Sequence, residues 1–202
     1  MKRSRCVGLG GALALFGCFA LVVGNIAAIL LLERYSSISD TISDLAAGRY
    51  GWVQDTGLVL FALGMLACGV GLFCWPGRGR LWRLAAGLLV LLAVIVMVIA
   101  THNEYGDRDT EKYVIHMNAV IAFAIVFAFV PLLLAPGLRR LGRVRSRVSV
   151  ATTVLWVILS PIFFYIPTGW DGLYERGLGV ILIGWLVMVA RLQVRHGRVA
   201  SG

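Results

Sequence analysis

Acidic residues are scarce in this chain, ten in 202, and four of the seven stretches outside its apolar runs contain none. Lysine is scarcer still: only Lys2 and Lys112 occur among 19 basic residues, a bias toward arginine that hints at a GC-rich bacterial genome. No apolar run carries a charge at its centre. That absence argues against a proton pump or a voltage sensor, which need ionisable groups within the membrane, and it weakens ion-coupled transport. No broken-helix pair or inverted repeat marks the two halves as a secondary transporter. Cysteine is limited to Cys6, Cys18, Cys68 and Cys74, without metal-ligand spacing. None of the four lies in an outward loop, so no disulfide is expected. There is no nucleophile elbow and no HExxH helix. The links are too short for a separate soluble domain.

What is present is apolar. The chain is 59% hydrophobic with a mean hydropathy of +0.87. Stretches of about 20 apolar residues match a hydrocarbon core of roughly 30 Å at about 1.5 Å per helical residue. Spans are expected near 7–32, 56–75, 82–101, 114–135, 149–166 and 173–190. The fold class is an all-α integral membrane protein, one bundle of six transmembrane helices over residues 1–202.

Charge is segregated between the gaps. Lys2, Arg3 and Arg5, then Arg78, Arg80 and Arg83, then the run from Arg139 to Arg147, and finally Arg191, Arg195 and Arg198 occupy pieces without an acid. All ten acids fall in or beside the other three gaps. Short arginine-rich loops stay cytoplasmic. The N- and C-termini are therefore expected in the cytoplasm of a bacterial cell with the acidic loops outward. The +9 net charge then serves topology and contact with anionic headgroups, and nucleic acid is not an expected partner. The first run, about 26 residues, is too long for a cleaved signal peptide. Leu15-Phe16-Gly17-Cys18 resembles a lipoprotein box, but Phe16 is too bulky for it.

The outward loops hold the polar chemistry. In the first, Ile38, Ile42 and Leu45 share a helical face, Ser37 and Asp40 have capping-box spacing, and Gly48 is a natural stop. A short amphipathic helix is expected there, with Ser39/Ser43 and Asp40/Asp44 each paired on one face and Arg34 or Arg49 near the acids. In the second, His102 leaves the third span and His116 sits one turn into the fourth, near the same depth. Two imidazoles with Glu or Asp are a donor set for a divalent metal, yet the spacing matches no established motif, and neither metal nor other cofactor is predicted. Asp107-Arg108-Asp109 has a calcium-loop flavour without the rest of an EF-hand. In the third, Glu175 and Arg176 open the sixth span, where charges need partners. Arg176 is expected to pair with Asp44 and clamp the short helix to the bundle.

Glycines and alanines at three- and four-residue spacing mark the first, second, fourth and sixth spans. Such faces let helices approach closely in lipid. Their expected use is packing within the chain, with a homo-oligomer as the other reading. Pro161 should kink the fifth span. Trp52, Trp170, Tyr35, Tyr50, Tyr113, Tyr165 and Tyr174 are read as interfacial anchors.

Thr41-Ile42-Ser43-Asp44-Leu45, the glycine-rich second span, His116, and Gly172-Leu173-Tyr174-Glu175-Arg176-Gly177 occur in this order. The combination resembles a family of six-helix bacterial membrane proteins catalogued as a domain of unknown function, number 998. The resemblance covers nearly the whole chain and implies the six-helix fold. It also implies that Ser43, Asp44, His116, Glu175 and Arg176 form one outward polar cluster; His102 is a candidate member from this chain's own residues and not from the resemblance. It brings no activity. The first expectation is a non-catalytic protein that binds lipid or a partner. The alternatives are an intramembrane lipid hydrolase or transferase using Ser43, Asp44 and His116, and a small transporter. Ser43 packed against His116 favours the enzyme, and an Asp44–Arg176 bridge favours the scaffold.

Overall fold

A computed structural model describes residues 2–77, 79–102 and 111–199, the side chains of 2 and 112 excepted. Seven α-helices follow one another: α1 (Lys2–Leu31), α2 (Ile42–Ala47), α3 (Gly51–Cys74), α4 (Arg80–Thr101), α5 (Glu111–Arg139), α6 (Arg143–Ile162) and α7 (Asp171–Val199). A 3₁₀ turn, Phe163–Tyr165, extends α6. All but α2 are long and apolar enough to cross a membrane, which makes six spans. Among the described residues there is no strand. Five of the six spanning helices outrun their expected spans at the arginine-rich end, where arginine is a good helix former, whereas α3 starts early at its other end, at Gly51. Phe19, Leu30 and Val180 are among many large apolar side chains left exposed on the outside, the surface that lipid covers.

The α1–α3 pair forms the spine, and the glycines explain it. A Cβ at Gly10 would lie 3.0 Å from the Cα of Gly71, one at Gly17 3.1 Å from Gly64, and one at Gly24 3.2 Å from Gly57. The three contacts repeat every seven residues down two antiparallel helices. In lipid, association depends on close backbone contact rather than on a hydrophobic drive. The small-residue faces of α1 and α3 are thus used within the chain. On another side of α1, Gly8 meets Gly197 of α7 in the same way.

This register also corrects the cysteine expectation. Cys6 and Cys74 face each other with Cα atoms 6.2 Å apart and are joined by a disulfide. Compartment alone does not decide the pairing, because the glycine contacts bring residue 6 opposite residue 74. Cys18 and Cys68 are buried and unbridged.

Pro161 falls in the last turn of α6, so the helix tightens into the 3₁₀ turn rather than kinking in mid-course. The carbonyl of Leu159, in that frayed end, accepts from the Tyr174 hydroxyl at 2.9 Å. Tyr174 thereby ties α6 to α7. With Tyr35, described below, it is a structural tie, not the free anchor expected of it. Trp52, Tyr165 and Trp170 are exposed, as anchors should be. The centre of the bundle is filled by Met65, Leu89, Phe127 and Trp185, with the last two rings edge to face at 5.6 Å.

Candidate functional site

The short helix α2 begins where its own side chains allow. Thr41 is the N-cap: its hydroxyl accepts from Asp44 N at 3.0 Å, and its backbone N–H donates to the Asp44 carboxylate at 2.8 Å. The capping box is therefore Thr41/Asp44, not Ser37/Asp40. Ser36 N donates to the Asp40 carboxylate at 2.8 Å, and that carboxylate closes a turn before the helix. Asp40 lies outside the helix, so it does not share a helical face with Asp44, nor Ser39 with Ser43. Gly48 ends α2 as expected, its N–H donating to Leu45 O. Leu45 and Ala46 are buried beneath it.

Arg176 does clamp this segment, but not through Asp44, whose carboxylate is committed to Thr41. One guanidinium nitrogen of Arg176 donates to the carbonyls of Ser37, Asp40 and Gly172 at 3.1, 3.0 and 2.8 Å. The other donates to the Tyr35 hydroxyl, which itself donates to Thr41 O at 2.7 Å. Burial pushes the Tyr35 hydroxyl above its ordinary pKa, and neighbouring Arg176 pulls the other way. Glu175 completes the clamp: its carboxylate accepts from Ile42 N at 2.6 Å. Gly172 is required here, because a Cβ would lie 2.2 Å from Asp40 O.

Beneath α2 lies a cavity of about 200 Å³ reached by residues of all six spans. Its polar lining consists of Ser43, Gln54, His116, Ser160 and Glu175, set among leucine, valine, alanine and aromatic side chains. His116 is buried, with Nε2 3.2 Å from Ser43 Oγ and Nδ1 2.9 Å from His102 O. A carbonyl can only accept, so in the neutral ring Nδ1 carries the hydrogen and Nε2 accepts from the serine. His102 contributes that carbonyl. Its own Nδ1 donates to Val98 O at 3.0 Å and so turns back on α4. Among the described residues no three His, Cys, Asp or Glu converge on one point. Glu104, Asp107 and Asp109 lie outside the described residues.

Two residues not singled out from the sequence join the site. Asn25 donates to Gln54 Oε1 at 3.1 Å across the α1–α3 spine. Gln54 is fully buried, and its Nε2 has no hydrogen-bond partner among the described residues. The available signal was an isolated amide within the first apolar run, Asn25, and another just before the second, Gln54.

Next to the cavity, a surface groove of about 650 Å³ runs between α6 and α7, lined by Leu159, Tyr174 and Ile181 among others. Leu178 lines both spaces.

Fold and site together define a multi-pass membrane protein with a roofed, mixed polar and apolar cavity at one end of a six-helix bundle. Residues 15–192 match the family described as protein of unknown function (DUF998), and the chain belongs to that family. No solved structure matches it.

Proposed function

We propose that the protein binds a membrane lipid by its ester end, which enters the cavity under α2. The observation that carries this is Gln54. A buried donor left unpaired costs about 1–3 kcal/mol, and a carbonyl oxygen from a ligand would offset that cost. The walls ask for hydrocarbon beside that oxygen. At about 200 Å³ the cavity is smaller than the roughly 300–1,000 Å³ of a site that engulfs a drug-sized molecule. It suits one ester and the first part of a chain. The rest of the chain would follow the neighbouring α6–α7 groove, whose lining shares Leu178 with the cavity. The filled layer of Met65, Phe127 and Trp185 below counts against a polar path for transport.

Protein purified in mild detergent is expected to carry one lipid per chain in native mass spectrometry, and Gln54→Leu is expected to lose it. Protein isolated without lipid, and not raised in melting temperature when lipid is added, would sink the reading.

In this reading the α2 end faces outward from a bacterial plasma membrane, and both termini lie in the cytoplasm by the arginine distribution. The Cys6–Cys74 disulfide then sits at the cytoplasmic end, facing a reducing environment. A fluorescent reporter fused after Gly202 is expected to read as cytoplasmic. A periplasmic reading would reverse the orientation.

A further inference from the structure

We propose that Ser43 is an acyl-accepting nucleophile with His116 as its base, and that the bound lipid ester is its substrate. The inference rests on the lipid-binding reading above and adds a reaction to it.

Three observations meet at this point. Ser43 Oγ is 3.2 Å from His116 Nε2, hydrogen-bond reach for a proton transfer. The third member is a backbone oxygen: His102 O at 2.9 Å from Nδ1 holds the ring in the tautomer whose Nε2 accepts from Ser43, and it stabilises the cation formed when Nε2 takes a proton. The unpaired Gln54 amide lines the same cavity. A side-chain amide aimed at the place where charge develops on a carbonyl oxygen is a recurrent means of stabilising a tetrahedral intermediate.

The lining also selects the bond. Its formally charged side chain is Glu175, which disfavours a phosphate, while the apolar walls suit a neutral carboxylic ester. Asp44, the carboxylate the sequence offers as a third member, is committed instead to Thr41 at the N-cap of α2.

The steps balance with water as the co-reactant. Ser43 Oγ bonds to the ester carbonyl carbon while its proton passes to His116 Nε2. The tetrahedral intermediate expels the alcohol, which takes that proton, and leaves the acyl group on Ser43. A water molecule then gives a proton to Nε2 and its oxygen to the acyl carbon. The bond to Oγ breaks, Oγ recovers the proton, and a fatty acid leaves. Nothing is oxidised or reduced.

The test uses the full chain in detergent with a long-chain alkyl fluorophosphonate, whose fluoride is displaced by an activated serine. Peptide mass spectrometry of the wild type is expected to find the adduct on Ser43, and His116→Ala is expected to slow its formation at least about 100-fold, the lower end of what a positioned base contributes. Absence of the adduct in the wild type overturns the proposal, and that arm needs no variant to fold. Equal rates in His116→Ala and wild type overturn it too. Retained lipid measured on the same sample separates the two readings. Lipid without adduct removes the reaction and leaves binding, whereas adduct without resident lipid does the reverse.

Discussion

Gly17→Leu is expected to disrupt the bundle more than any other single change discussed for this chain. Even a Cβ at residue 17 would lie 2.7 Å from Leu60 O and 3.1 Å from the Cα atoms of Phe61 and Gly64. Those are backbone atoms of a facing helix and cannot swing aside. A leucine must push α1 and α3 apart, and the contacts at Gly10/Gly71 and Gly24/Gly57 lie on the same line. The expected loss is about 3 kcal/mol or more, at or above the upper end of overpacking costs. Thermal unfolding in detergent measures it. Gly184→Ala is the control, since a Cβ there meets nothing within 4 Å. If both variants melt with the wild type, the α1–α3 contact is not what holds the spine.

Arg176→Ala is expected to cost about 2–4 kcal/mol, since hydrogen bonds to a charged group are worth about 1.5–3 kcal/mol each and do not add. It leaves the carbonyls of Ser37, Asp40 and Gly172 without their shared donor and frees the loop that carries Tyr35. The local reading is cleavage by trypsin at Arg34 and Arg49, which flank α2. Cleavage there should accelerate together with the fall in melting temperature. Arg176→Lys should lie between, because a point charge cannot reproduce the fork. Unchanged cleavage in Arg176→Ala would mean that the buried Leu45 and Ala46, with the Glu175–Ile42 and Ser43–His116 bonds, suffice to hold α2. Tyr35 adds a sign. Its raised pKa means that its contribution is present through neutral pH, below the ordinary tyrosine range, and is lost as pH rises through the folded-state value.

The six spans and α2 are legible in the sequence because each rests on a local rule. Length and apolarity set the spans, and Ile42, Leu45 and Gly48 set the small helix. Its start is ambiguous from sequence, because Ser37/Asp40 and Thr41/Asp44 have the same spacing. The choice falls to the second pair because Tyr35 and Arg176 pull the preceding residues into a turn. The need of Arg176 for a partner is also legible, but its identity is not: sequence exposes carboxylates, whereas this guanidinium is met by three carbonyls of folded backbone. Ser43 and His116 are visible as candidates, yet 73 residues separate them and their contact depends on how α2 is seated on α1, α3 and α7. Cys6 and Cys74 show the same limit. Redox reasoning speaks to compartment and says nothing of which residues a glycine register places face to face.

That register also bears on how the molecule is made. Both partners of the spine, with α2 between them, are complete once 74 residues have been synthesised. At roughly 5–20 residues per second, Glu175 follows about 5–20 s later. The hairpin of α1 and α3, with the Asn25–Gln54 pair already joined, is therefore the surface on which later helices arrive. Until α5 and α7 bring His116 and Glu175, the half-built cavity is open to the surrounding lipid, and the last helices close around whatever has settled there.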